Sequence, residues 1–130
     1  MVEIPPTDDG GVDSRLLELV RLRVATIHCC AESIAHHAEI LHSRGESIQL
    51  DELETWKTSS LFDGPERAAL ALCEQIALDP AEPLPDFLIQ EMRHHFTKEA
   101  IVSLTMAIMA ANDWNFPHGP SDLVPERRED

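Results

Sequence analysis

Three residues on one short stretch can do chemistry together: Cys30, Ser33 and His37. At 3.6 residues per turn they fall within about 60° of one another around a helix, so a thiol, a hydroxyl and an imidazole share one face. Cys30 lies where that helix is expected to start, and unpaired backbone N–H groups with the positive end of the helix dipole suit a thiolate there. His37, one to two turns further along, is placed to exchange a proton with Ser33 or with the thiol. Taken singly, Cys30 also reads as a small core residue and His37 as a surface histidine. The joint arrangement is what marks the face.

The elements that position these residues are expected to be helical. Apolar residues recur at helical spacing, tyrosine is absent, and no β-branched stretch alternates with a period of two. The fold class expected is all-α, a compact domain of about six helices in which a helix pair carries the site. Asp13 or Ser14 caps the first helix, whose Leu16, Leu17, Val20, Val24 and Ile27 line one face and which ends before the corner His28-Cys29-Cys30. The second runs from about Cys30 to Arg44, with Ile34, Ala38 and Leu41 turned to the core and Gly45 as its stop. A third, shorter helix carries Leu50, Leu53 and Trp56. The segment Asp63-Gly64-Pro65-Glu66 combines an N-cap, a first-turn proline and a glutamate three residues after the cap, and predicts a helix to about Leu78. Beyond Pro80, Pro83 and Pro85, residues 86 to 95 form another, and Thr97 caps a last helix from Ala100 to about Trp114.

That last helix is apolar nearly all round, with Ile101, Val102, Leu104, Met106, Ala107, Ile108, Met109 and Ala110 on several faces. A small domain can hardly cover it, so burial between subunits of a homo-oligomer is expected; the alternative is a central core helix. Residues 1–12 hold two prolines, two glycines and three acidic side chains and read as a flexible arm. The domain proper is expected over 13–116, and 117–130 reads as a second flexible tail.

With 130 residues and 43% hydrophobic content, the chain suits one modest core. Its 24 acidic against 10 basic residues give a net charge of −14, which repels nucleic acid and anionic membrane surfaces. No apolar run approaches a membrane span, and the first residues lack the basic and apolar regions of a signal peptide, so a cytoplasmic protein is expected. Three cysteines, two of them adjacent, do not form a secreted disulfide framework. Cys73, beside Leu72 and Ile76 on an apolar face, reads as an inert buried thiol.

The stretch from Glu18 to Val24, followed by Cys30-Ala-Glu-Ser33 and His37, resembles the core of the alkylhydroperoxidase D and carboxymuconolactone decarboxylase family. The likeness continues through Trp56, Leu61-Phe62, Glu66 to Leu72, Glu74, Ile101-Val102, Leu104, Asn112, Trp114 and Asn115, and so covers roughly residues 15 to 116. In redox members of that family two cysteines of a Cys-x-x-Cys-x-x-x-His motif reduce peroxides while an acid on the preceding helix and the histidine relay protons. Carried over by position, the resemblance puts catalytic roles on Glu18, Cys30, Ser33 and His37.

Ser33 stands where the second cysteine would be, the one to which the resemblance assigns attack on peroxide, and a hydroxyl can neither become a sulfenic acid nor close a disulfide. The departure breaks the ordinary dithiol cycle, and the expectation is a peroxidase with one reactive thiol, Cys30, completed by an external dithiol or lipoylated reductant, with no cofactor; Cys29 standing in for the missing partner is the alternative. The resemblance also implies a trimer or hexamer. A Cys29–Cys30 disulfide would need a strained ring. Cys29 also replaces a glycine that often precedes the first motif cysteine. The second expectation, from the decarboxylase branch, is acid–base catalysis by Glu18, His37 and Ser33 on a small carboxylated lactone. A third is a non-catalytic oligomeric binding protein whose inherited site has decayed. A metal site from His36, His37 and His42 with Cys29 or Glu32 is disfavoured, because adjacent histidines point about 100° apart on a helix. His94 and His95 read as a solvated helix end.

Overall fold

The computed structural model describes residues 11–79 and 82–115, the last two as backbone. Its six helices are α1 (Ser14–Ile27), α2 (Ala31–Ser43), α3 (Leu50–Glu54), α4 (Gly64–Leu78), α5 (Asp86–His95) and α6 (Lys98–Asn115). No strand occurs among the described residues, and the fold is all-α as expected. No helix among them is long and apolar enough to cross a membrane.

α1 starts on Asp13, whose carboxylate accepts the Arg15 N–H at 3.2 Å. The sequence shows one apolar face on this helix, but Leu16, Leu17, Leu19, Val20, Leu22, Val24 and Ala25 are all buried, and Glu18 with them. Ile27, expected in the core, is only half-buried. α1 is therefore the central helix, packed against α2, α4 and α6. The last helix does not hold that place. α6 buries Ala100, Leu104, Ile108 and Ala111 and leaves Val102, Met106 and Met109 exposed. The physical reason is side-chain size: the leucines and valines of α1 remove far more apolar area from water than the alanines of α6. Leu19 and Leu22 are fully buried, and truncating either to alanine is expected to cost about 2–5 kcal/mol.

α2 ends as the sequence indicates. Gly45, at φ +73°, donates to His42 O at 2.9 Å, and Glu46 N donates to Leu41 O at 2.8 Å, the paired closure that a left-handed residue permits. α3 is shorter than expected and excludes Trp56, which is buried in the turn that follows it. At α4 the capping box is complete: Asp63 accepts the Glu66 N–H at 3.0 Å, and Glu66 accepts the Asp63 N–H at 3.1 Å. α6 begins two residues before Ala100, and Thr97 Oγ1 accepts the Ala100 N–H at 3.1 Å. Val12, assigned to the arm from its neighbours' composition, is buried in the core. The rest of that arm up to residue 10, and the tail over 117–130, lie outside the described residues.

Candidate active site

The corner between α1 and α2 is built by the same hydrogen-bond pattern that ends α2. Cys29 N donates to Thr26 O at 3.2 Å and Cys30 N to Ala25 O at 3.0 Å. The left-handed residue this closure requires is Cys29, at φ +57°. A side chain is strained there by roughly 1 kcal/mol, which explains why glycine suits the position. The corner places Cys30 as the N-cap of α2, with no hydrogen bond from its side chain to the helix N–H groups. The thiol is thus not committed to capping. Cys30 is half-buried, Cys29 is exposed, and both are free thiols.

One turn into α2 the face turns inward. Ser33 is 5% exposed, and its hydroxyl has no hydrogen-bond partner among the described residues. His37 follows one turn later. Its Nδ1 lies 2.7 Å from Oε1 of Glu18 on α1, and a carboxylate only accepts, so Nδ1 carries the hydrogen and Nε2 is left for proton exchange. The other oxygen, Oε2, accepts from Arg21 Nη1 at 2.7 Å. Burial opposes the negative charge on Glu18, but the hydrogen bonds from His37 and Arg21 and the charge of Arg21 outweigh it, holding the carboxyl below its ordinary value. Glu18, Arg21 and His37 form one chain of charge-assisted hydrogen bonds across α1 and α2.

Along the helix axis His37 is about 6 Å from Ser33 and about 10 Å from Cys30. The residue next to the imidazole is therefore Ser33, with the thiol one turn beyond. The structure brings Glu18 and His37 into direct contact; Ser33 precedes His37 by one turn of α2, and Cys30 is the N-cap of that helix.

The remaining histidines and the third thiol are engaged elsewhere. His42 Nδ1 is hydrogen bonded to Ser47 Oγ at 2.8 Å, and His36 makes an edge contact with the His37 ring. Among the described residues no three His, Cys, Asp or Glu side chains gather as metal ligands. His94 is exposed, but His95, read as solvated, is partly buried and pairs with Glu91 at 3.0 Å. Cys73 is fully buried with its sulfur facing Val20 O at 3.6 Å, and burial pushes its thiol far up, away from ionisation.

Residues 5–75, more than half of the chain, match the sequence profile of the carboxymuconolactone decarboxylase family. The chain belongs to that family. The uncharacterized protein YdfG of Bacillus subtilis (strain 168) is 32% identical over 110 residues, covering 84% of this chain and 75% of its own. A solved structure from Agrobacterium tumefaciens, of a protein of unknown function suggested to be the antioxidant defence protein AhpD, superposes with a TM-score of 0.73 at 32% identity over the same shares of the two chains.

Two contacts around the site of this carboxymuconolactone decarboxylase family chain escape sequence reasoning. Arg21 carries a signal that could have found it, since it lies three residues after Glu18 and so on the same helix face. His28 Nε2 and Asn112 Oδ1, 2.6 Å apart, tie the corner to α6 across 84 positions of sequence. No local pattern announces that pairing.

Proposed function

We propose that this chain is a thiol-dependent, peroxidase-type antioxidant protein that reduces hydroperoxides at an altered Cys-x-x-Ser site. The observation that carries the reading is the 2.7 Å contact of His37 with Glu18, on the face that also bears Ser33 and the half-buried thiol of Cys30. The Cys30 sulfur attacks a hydroperoxide oxygen; an S–O bond forms as the O–O bond breaks. The thiol proton passes by way of the Ser33 hydroxyl to His37 and then to the departing alkoxide, so that thiol and hydroperoxide become sulfenic acid and alcohol. An external dithiol, such as a lipoylated partner, completes the cycle. Its first thiol displaces water from the sulfenic acid, and its second closes the reductant's own disulfide and returns Cys30. The structural neighbour's suggested antioxidant role supports this reading. The exposed Met106 and Met109 of α6 support assembly into a homo-oligomer.

One observation favours a second reading, acid–base chemistry on a carboxylated lactone: the unpartnered hydroxyl nearest His37 belongs to Ser33. Hydroperoxide consumption with dihydrolipoamide as reductant separates the two. Under the peroxidase reading Cys30→Ser abolishes turnover, whereas Cys29→Ser and Cys73→Ser retain it. No hydroperoxide turnover by the wild type, with lactone turnover undiminished in Cys30→Ser, would establish the second reading instead.

A further inference from the structure

A groove of about 450 Å³ runs between α4, α5 and α6, on residues that include none of the four site residues above. Leu72, Leu88, Met92 and Ile101 form its apolar walls, and Arg93 and Lys98 stand among its lining residues. Its size lies in the range of pockets that hold small organic ligands. No aspartate or glutamate lines it, although the chain has 24 of them. Two other grooves among the described residues each carry acids, Glu82 with Asp113 in one and Glu74 with Asp79 in the other.

The cations of the described residues sharpen the contrast. Arg15 pairs with Glu66, Arg21 with Glu18 and Arg23 with Glu74. Arg44 donates to Ser14 Oγ, Arg67 donates to the carbonyls of Lys57, Ser59 and Phe62, and Lys57 lies over the Trp56 ring. Arg93 and Lys98 have no partner among the described residues, and both line the same groove. Lys98 is also placed against helix electrostatics, since it opens α6, where the positive end of the dipole disfavours a cation.

We propose that this groove binds an aliphatic carboxylate of medium chain length, its alkyl chain along the Leu72–Met92 wall and its carboxylate held by Arg93 and Lys98. The apolar lining recognises the chain, and the two cations select an anionic head over a neutral one.

The test is a titration of the full-length chain with decanoate and, in parallel, with decanol, followed by methyl NMR, on the wild type and on Arg93→Gln, Lys98→Gln and the double variant. Decanoate is expected to bind saturably, with shifts concentrated at Ile89, Met92 and Ile101. The double variant is expected to weaken it about tenfold and to leave decanol unchanged. Lys98→Gln is expected to keep or raise the melting temperature while weakening binding, which separates a ligand-binding lysine from a structural one. Equal affinity for decanol and decanoate, shifts centred on Ile27 and Ile34 instead, or no saturable binding would overturn the proposal. So would sedimentation showing that the double variant dissociates an oligomer, because the groove would then belong to a second copy.

Discussion

Two glutamates form ion pairs at the central helix, Glu18 from α1 itself and Glu74 from α4, and they differ in what holds them. Glu18 of α1 meets His37 at 2.7 Å and Arg21 at 2.7 Å. Glu74 of α4 meets Arg23 of α1 at 3.0 Å and the Trp56 indole N–H at 2.8 Å, while Arg23 also donates to Thr26 Oγ1 at 3.1 Å. Neither a guanidinium nor an indole exchanges protons near neutral pH, so the Glu74 cluster is a clamp between α1, α4 and the turn after α3. The Glu18 cluster contains an imidazole with one nitrogen held and the other left over. Similar partly buried ion pairs thus differ in the chemistry open to them, according to whether the partner can pass on a proton.

Removing the imidazole breaks the comparison most sharply. His37→Ala is expected to lower kcat/KM for hydroperoxide reduction by about 10²–10³, the usual worth of a positioned acid–base group, as read from initial rates at saturating reductant. The opposite pattern is expected at the clamp. Glu74→Ala leaves the Arg23 charge and the Trp56 N–H without their acceptor and should cost about 2–3 kcal/mol in urea unfolding, with activity per folded molecule unchanged.

Acid tests the Glu18 cluster next. The Glu18 carboxyl is held below its ordinary value in the folded chain, so the stability it adds is complete above the ordinary carboxylate range and is lost as pH falls through its lowered native value. In urea unfolding across a pH series, Glu18→Gln should be less stable than wild type near neutrality, and the gap should close on the acid side. The smallest effect lies at the corner that joins the Glu18 cluster to the thiol. Cys29→Gly relieves a side chain at φ +57° and is expected to raise stability by roughly 1 kcal/mol, less the added entropy of a glycine in the unfolded chain.

Local signals made much of this legible. Asp63 with Glu66 marks the start of α4, Gly45 marks the end of α2, and the spacing of Cys30, Ser33 and His37 puts them on one face before any tertiary contact is known. Glu18 needed the family resemblance, because a glutamate on an amphipathic helix carries no mark of burial. What escaped was set by partners distant in sequence. α1 looks amphipathic because Glu18, Arg21 and Arg23 interrupt its apolar pattern, yet each is neutralised by a counter-charge, so the helix can sit at the centre. α6 is apolar nearly all round, yet within one chain its alanines contribute little area and its methionines face outward, so of its two readings the central core helix is the one set aside. Cys29 itself does not advertise a left-handed backbone, as glycine or asparagine would; the one sign was the glycine it replaces in the family motif.

The most direct measurement is to expose the reduced protein to a modest excess of hydroperoxide, trap sulfenic acid, and map it by mass spectrometry in the wild type and in His37→Ala. Labelling of Cys30, with Cys73 silent in its buried position and the rate at Cys30 falling about a hundredfold without His37, is the result expected of a thiol served by the Glu18–His37 relay. Equal labelling of Cys30 and Cys73, or a Cys30 rate indifferent to His37, would contradict it.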